Sequence, residues 1–302
     1  MKQFNYNYFE EIEIDLTGVC NLQCDRCTRN YKHSQHLVRK NVRPLDEITQ
    51  QLDKFKNLKI LMLAGQVSEP TLYPNFIDLV KYVKERNIKI NLFTNASILR
   101  EYLFENLKNI LDKNDTVHFT ICGTNQVLHE KYRAGSKLDI ILKNAKSFIN
   151  SNKNDYLQYI RFTYNKDDSI LFKELMESRG GSVFNIFNNY YIVESEGDRL
   201  LNETIRPRMS TPCKDKFYKN IFNELNKIKV FKPKCKSIEW KKIYIDQFGK
   251  IYPCYSFAEY NNIDFNLDTA YDKILSGYFD CCKLCSNTCN QLMKRYGLDF
   301  VC

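Results

Sequence analysis

The chain has 302 residues, of which 43% are apolar and 27% charged, with twenty Tyr and twenty Phe, and this composition excludes a disordered or low-complexity protein. Its length is near the upper limit for one hydrophobic core, so we expect one large domain and a smaller appendage. The net charge of +9 comes from Lys scattered along the chain, which is typical of a solvated surface, and no RNA-binding motif is present.

The sequence shows no long uncharged apolar run and no leader-like segment in its first ten residues. These features argue against a membrane-spanning helix and a secretory signal, so we expect a cytoplasmic protein with no membrane partner. In a reducing compartment, grouped cysteines are more often metal ligands than disulfides. The twelve cysteines therefore direct attention to metal sites.

Taken in chain order, the predicted elements alternate between strands and helices. Apolar or alternating runs predict strands at residues 11–16, 58–63, 88–93, 116–121 and 157–164. Helical periodicity predicts helices at residues 45–55, 76–86, 98–111, 138–149 and 169–177. This order predicts an α/β fold with a parallel sheet, curled into a partial (β/α)6 barrel of the TIM type.

The alternation fades after Gly180, and residues 180–234 carry no pattern that we can assign. We therefore expect a barrel domain over residues 1–200 and a second domain over residues 201–302. In the second domain, residues 241–252 predict a β-hairpin whose turn contains Gly249.

Three cysteines follow the first predicted strand in the spacing C-x3-C-x2-C, at Cys20, Cys24 and Cys27. Three thiolates on one loop suit a 4Fe-4S cluster that keeps one iron open to a ligand. A zinc site is the main alternative and would need His33 or His36 as a fourth ligand. Redox-active thiols are a further alternative.

This motif at the end of a first strand resembles the signature of the radical S-adenosylmethionine (SAM) superfamily. The resemblance implies that the open iron binds SAM, that a reduced cluster cleaves it, and that the 5'-deoxyadenosyl radical abstracts hydrogen from a C–H bond. Arg26 stands where the superfamily usually has an aromatic residue near the adenine. A cation stacked on the base is compatible with that position.

The resemblance extends to positions at the ends of later strands. Cys122 occupies the place of an Asp in many relatives and is interpreted as a small buried residue. His129 is compatible with a surface helix position. The residues that the resemblance assigns to SAM are Gly65 and Glu69 for the methionine amino group, Thr94 in a Thr-Asn-Ala turn, Thr120 and Asn165 for the ribose, and Arg133 for the carboxylate.

Cysteines near the end of the chain resemble the ligands of twitch and SPASM domains, which hold auxiliary 4Fe-4S clusters. The pattern C-x13-G-x4-C joins Cys235, Gly249 and Cys254, and Cys282-x2-Cys285 follows. Zinc held by the same four thiolates is the alternative. One auxiliary cluster is expected, although other cysteines are available for a second cluster or for exchanged ligands: Cys213, Cys281, Cys289 and Cys302.

These features predict a radical SAM oxidoreductase that abstracts hydrogen from a sugar, small metabolite or peptide, with the auxiliary 4Fe-4S cluster aiding electron transfer. We expect a reducing partner such as flavodoxin or ferredoxin. Because the cysteine motif begins at Cys20, we expect no N-terminal peptide-recognition domain, which favours a small substrate or one delivered by another protein. The alternatives are an RNA-modifying radical SAM enzyme, motivated by the net charge, and a non-catalytic iron–sulfur or zinc module.

Overall fold

The computed structural model of the chain describes residues 5–24, 27–30, 35–149, 154–178, 184, 189–194, 236–255 and 258. These residues form one eight-stranded sheet in the order β6-β5-β4-β3-β2-β1-β7-β8. All neighbouring strands are parallel except β7 and β8, which are antiparallel. The strands are β1 (Glu11–Ile14), β2 (Ile60–Leu63), β3 (Lys89–Thr94), β4 (Thr116–Ile121), β5 (Asn154–Arg161), β6 (Asn189–Glu194), β7 (Lys242–Ile245) and β8 (Ile251–Tyr252).

Helices lie between the successive parallel strands, as the alternating sequence pattern predicts. The α-helices are α1 (Leu45–Leu52), α2 (Phe76–Glu85), α3 (Glu101–Ile110), α4 (Gln126–Tyr132), α5 (Leu138–Phe148), α6 (Lys166–Glu177) and α7 (Lys236–Glu239). Short 3-10 turns occur at Tyr6–Tyr8, Thr28–Asn30, Pro70–Leu72 and Thr163–Asn165. The sheet is open and forms a partial barrel, so the predicted fold class is confirmed.

The hydrophobic core lies between the helices and one face of the sheet. In α2, the buried residues Phe76, Leu79 and Val83 repeat at helical spacing and form one apolar face. On the strands, burial alternates with a period of two, and Phe119 of β4 contacts Phe104 of α3 and Phe148 of α5. The opposite face of the sheet is therefore left for side chains that do not belong to this core.

The five predicted strands and the five predicted helices are present, although several bounds differ by two or three residues and the helix α4 was not predicted. The fifth strand begins at Asn154, three residues before the predicted start, and its last predicted residues instead form the turn Thr163–Asn165. The strand β6 lies in the segment to which we assigned no element, and it pairs with β5 over six residues. Its sequence, Asn-Tyr-Tyr-Ile-Val-Glu, lies within an Asn-rich stretch whose polar residues obscure the alternation.

The predicted hairpin is present as β7 and β8, with Gly249 at a φ of +83° in its turn. This hairpin continues the main sheet, because β7 pairs in parallel with β1 from Glu11 to Ile14. Among the described residues, none of the helices has the length and apolar character needed to cross a bilayer.

Candidate active site

The loop carrying Cys20, Cys24 and Cys27 follows the carboxyl end of β1 and is held on several sides. Val19 O accepts a hydrogen bond from Glu69 N, and Gln23 N donates to Ala134 O at 3.2 Å. Arg29 donates from Nη1 to the carbonyl oxygens of Gly18 and Val67. The loop is therefore fixed to the residues that follow β2 and α4, at the strand ends where barrel active sites lie.

The three cysteines fit a shared metal centre by their chemistry. The thiols of all three are partly exposed. Burial, together with the neighbouring thiols of Cys27 and Cys20, raises the pKa of Cys24 to about 12, although the charge of Arg133 acts in the opposite direction. Burial also raises the pKa of Cys20. Metal binding requires thiolates, so loading this loop with iron would release protons.

A single zinc ion is the alternative that the sequence leaves open at this loop. In the described part of the chain, no group of three or more His, Cys, Asp and Glu side chains is placed to hold one metal ion. His36 Nε2 instead lies 2.8 Å from the carbonyl oxygen of Ala258, and His33 is outside the described residues.

The turn after β2 carries Gly65 and Glu69. Gly65 has a φ of +61°, and a Cβ there would lie 2.3 Å from Ser68 O, so the turn itself requires glycine. Glu69 is buried, and its Oε1 accepts hydrogen bonds from Thr71 and from Thr94 Oγ1 at 2.6 Å. Its Oε2 accepts from Asn95 N at 2.8 Å. Glu69 therefore joins the second and third strand ends.

Thr94 and Thr120 lie side by side at the ends of β3 and β4. Thr120 Oγ1 donates to Thr94 O at 3.1 Å, and both residues are buried. Beyond Thr94, Asn95 reaches the cysteine loop, with its Nδ2 3.1 Å from Asn21 Oδ1. Hydrogen bonds thus connect Glu69, Thr94 and Thr120, which lie at the ends of β2, β3 and β4. Asn95 connects this group to the cysteine loop.

Arg133 follows α4 and is buried among groups that attract its charge. Its Nε donates to Cys122 Sγ at 3.4 Å. Burial acts to lower the pKa of Arg133, but the sulfurs of Cys122 and Cys24 outweigh it and hold the pKa above the ordinary value. A permanently charged guanidinium therefore lies beside the cysteine loop, as expected for a residue that binds a carboxylate.

His129 is a buried structural residue rather than a surface one. Its Nδ1 accepts a hydrogen bond from Cys122 N at 3.2 Å, and its Nε2 is 2.8 Å from Ser136 Oγ. Burial lowers the pKa of His129 to about 3, so the ring is neutral and Nε2 carries its proton. His129 fixes the end of β4 against the loop that carries Arg133.

The side-chain amides of Asn165 and Gln158 differ in their hydrogen bonding. The Asn165 side chain is fully engaged, because its Nδ2 donates to Cys122 O and Ile160 O and its Oδ1 accepts from Phe162 N. Gln158 pairs in register with Thr120, and its Oε1 is a buried acceptor with no donor among the described residues. Gln158 was not predicted, and its unpaired oxygen suits a hydroxyl donor of a bound ligand.

The concave face of the sheet carries a wall of partly exposed rings. The His118 ring stacks on the rings of Phe93 and Tyr156, with centroid distances of 4.0 Å and 5.2 Å. His118 Nδ1 lies 3.0 Å from the Tyr191 hydroxyl. Burial lowers the pKa of His118 to about 4, so this ring is neutral at neutral pH. We refer to Phe93, His118, Tyr156 and Tyr191 as the aromatic wall.

Few of the predicted auxiliary ligands fall within the described residues. Cys254 is a partly exposed cysteine that follows β8. The guanidinium of Arg43 packs on Gly249, where a Cβ would lie 2.9 Å from Nη2. The remaining predicted or alternative positions lie outside the described residues: Arg26, Cys213, Cys235, Cys281, Cys282, Cys285, Cys289 and Cys302.

Comparison with protein families gives a match to the model described as Radical SAM superfamily over residues 14–178, more than half of the chain. The tungsten-containing aldehyde ferredoxin oxidoreductase cofactor-modifying protein of Pyrococcus furiosus is 27% identical over 113 residues, 36% of this chain and 29% of that protein. The probable GTP 3',8-cyclase of Methanococcus maripaludis is 26% identical over 137 residues, 45% of this chain and 44% of that protein. The chain thus matches less than half the length of these curated relatives.

Among solved structures, Streptococcus suis SuiB bound to S-adenosylmethionine has a TM-score of 0.59 at 18% identity, covering 90% of this chain and 68% of that one. SuiB bound to precursor peptide SuiA also gives a TM-score of 0.59, at 16% identity, covering 93% of this chain and 65% of that one. At these identities the likeness shows a shared fold.

Proposed function

The chain belongs to the radical SAM superfamily, and from this membership we propose that it is an oxidoreductase that removes hydrogen from a sugar, small metabolite or peptide. The observation that carries the proposal is the position of three cysteine thiols beside a buried, charged Arg133 at the carboxyl ends of a parallel barrel. It is a radical SAM enzyme whose cofactors are a 4Fe-4S cluster and SAM.

Cys20, Cys24 and Cys27 would hold the cluster. When bound, the reduced cluster and SAM supply a 5'-deoxyadenosyl radical, which takes a hydrogen atom from the substrate. The loop contributes a fixed geometry, because Arg29 and the contacts of Val19 and Gln23 anchor it to the barrel.

The residues beside the cysteine loop would orient SAM. Arg133 would pair with the carboxylate of SAM, since a guanidinium offers two parallel donors to one carboxylate. Glu69 would accept from the ammonium through Oε2, which receives one hydrogen bond within the described part of the chain. Thr120 and the unpaired Gln158 oxygen would meet the ribose.

The substrate would occupy the concave face, against the aromatic wall. This face is open to ligands where the opposite face is filled by the core, and its rings are partly exposed. The neutral His118 and the Tyr191 hydroxyl provide hydrogen-bonding groups without charge. Such a surface suits an uncharged part of a metabolite or peptide.

The tail would supply the second electron acceptor. Loss of two electrons from the substrate needs one hydrogen atom transferred to the radical, one electron passed to an oxidised auxiliary cluster and one proton released. We propose that Cys254 with Cys235, Cys282 and Cys285 holds that cluster, in a second domain over residues 201–302 whose hairpin docks on β1. Flavodoxin or ferredoxin would reduce the SAM-binding cluster.

Deuterium transfer tests the substrate class. The reconstituted enzyme would be incubated with SAM, a reductant and small-molecule, peptide or RNA fractions from cells grown in D2O. We expect deuterium in 5'-deoxyadenosine with the small-molecule or peptide fraction. Transfer from the RNA fraction alone would instead support an RNA-modifying enzyme, and the absence of transfer from every fraction would contradict hydrogen abstraction from these substrates.

A further inference from the structure

The side chain of Asn95 connects the turn after β3 to the cysteine loop. Its Nδ2 lies 3.8 Å from Cys20 Sγ and 3.1 Å from Asn21 Oδ1. An amide nitrogen has two N–H bonds, so it has one for each acceptor. The longer distance to Cys20 is compatible with a hydrogen bond because sulfur is larger than oxygen.

The orientation of this amide is fixed by two contacts at its other end. Asn95 Oδ1 accepts a hydrogen bond from Ser97 N at 2.9 Å, so the nitrogen must face the cysteine loop. Asn95 N donates to the buried carboxylate of Glu69 at 2.8 Å. Asn95 is itself buried, with 7% of its surface exposed. The donor directed at Cys20 is therefore held in place before any metal binds.

We propose that Asn95 is a positioning residue that raises the reduction potential of the iron–sulfur cluster bound through Cys20. The inference rests on the proposed function, because it requires the cluster on this loop. Reduction adds negative charge to the cluster and its sulfur ligands, and an N–H donor stabilises that charge more in the reduced state. Hydrogen bonds to the sulfurs are among the factors that set the potentials of such clusters.

Two substitutions remove the donor while keeping an oxygen for the turn. Asn95→Ser retains an oxygen that can accept from Ser97 N, and Asn95→Asp retains the shape of the side chain. The matched control is Asn30→Ala, which removes a hydrogen bond to the same loop, from Asn30 Nδ2 to the carbonyl oxygen of Cys24 at 2.8 Å. That contact meets the backbone and not a thiol, so the potential should not depend on it.

The measurement is a redox titration followed by electron paramagnetic resonance, on anaerobically reconstituted full-length protein without SAM. We expect Asn95→Ser to make reduction about tenfold less favourable, which is a potential about 59 mV more negative for a one-electron couple. Asn95→Asp should shift it further in the same direction, because it adds a negative charge. Asn30→Ala should keep the wild-type potential.

The iron and sulfide contents of each variant distinguish a failure of the Asn95 inference from a failure of the proposed function. Equal potentials in loaded wild type, Asn95→Ser and Asn95→Asp would overturn the inference alone. Loss of the cluster from both Asn95 variants but not from Asn30→Ala would also overturn it, since that result makes Asn95 an assembly residue. A wild-type chain that assembles no cluster would overturn the proposed function as well.

Discussion

Arg133 Nε donates a hydrogen bond to Cys122 Sγ across 3.4 Å, in the interior of the barrel. Burial raises the pKa of Cys122, and the sulfurs of Cys122 and Cys24 hold the pKa of Arg133 above its ordinary value despite its burial. The guanidinium therefore keeps its charge for a carboxylate ligand.

Arg133→Lys should weaken SAM binding about tenfold, or about 1.4 kcal/mol, because the lysine ammonium cannot form two parallel hydrogen bonds. The iron content should be unchanged, since Arg133 is not a metal ligand. Equilibrium dialysis of labelled SAM with the reconstituted protein gives the affinity. Arg86→Lys is the control, because Arg86 forms an exposed ion pair with Asp53 and should leave SAM binding intact. An unchanged affinity in Arg133→Lys would exclude Arg133 from SAM binding.

Cys254→Ala should remove the auxiliary cluster and leave the SAM-binding cluster. In the proposed assignment the iron content falls from about eight to about four per chain, because each 4Fe-4S cluster contains four irons. Colorimetric iron and sulfide assays on reconstituted protein measure this change. An iron content equal to that of the wild type would remove Cys254 from the ligand set.

The buried carboxyl of Asp15 should make the free energy of unfolding depend on pH. It is fully buried beneath Ser68 Oγ and the Tyr244 hydroxyl, each at 2.6 Å, and burial raises its pKa to about 6 despite these donors. The folded chain thus binds a proton that the unfolded chain has lost between about pH 4 and pH 6, so stability decreases as the pH rises through this window.

Asp15→Asn should remove this part of the pH dependence, which amounts to at most about 3 kcal/mol. Urea unfolding of both proteins over this pH range measures the effect. The difference in unfolding free energy between variant and wild type should grow in favour of Asn as the pH rises. A difference that stays constant from pH 4 to pH 7 would show that Asp15 does not titrate as described.

Asp115 stabilises the amino-terminal ends of the strands. Its carboxylate, 1% exposed, lies 2.9 Å from Lys84 Nζ and accepts a hydrogen bond from Ile90 N at 2.8 Å. Asp115→Ala should lower the unfolding free energy by about 3 kcal/mol, since it leaves buried partners unpaired. Asp53→Ala, which breaks the exposed pair with Arg86, should cost less than about 1 kcal/mol. Equal losses in urea unfolding would contradict the structural role of Asp115.

The cysteine loop was proposed from sequence because Cys20, Cys24 and Cys27 lie close to one another along the chain. Five of the helices were also predicted, because their apolar faces repeat at helical spacing, whereas the shorter α4 and α7 were not. Gln158 was not proposed from sequence because its position beside Thr120 depends on the register between β4 and β5. A period-two pattern does not fix register between strands.

Contacts between segments that are distant in the chain could not be predicted from the sequence. Asn95 was identified only as part of a turn, and its contact with Cys20 requires the folded barrel. Gly249 was assigned to a hairpin turn, but its packing against Arg43 joins segments about two hundred residues apart. The pairing of β7 with β1 is of the same kind, since parallel strands carry no local signal of their partner.

The most direct test of this account is the production of 5'-deoxyadenosine by the anaerobically reconstituted wild-type chain, given dithionite and SAM and analysed by liquid chromatography. We predict that the wild type forms 5'-deoxyadenosine and that Cys24→Ala forms none. Asn30→Ala, whose contact lies on the same loop without touching a thiol, should retain activity. A wild-type chain that binds iron and sulfide but leaves SAM uncleaved, or a Cys24→Ala variant that cleaves SAM as fast as the wild type, would contradict the assignment of this loop as the radical-generating site.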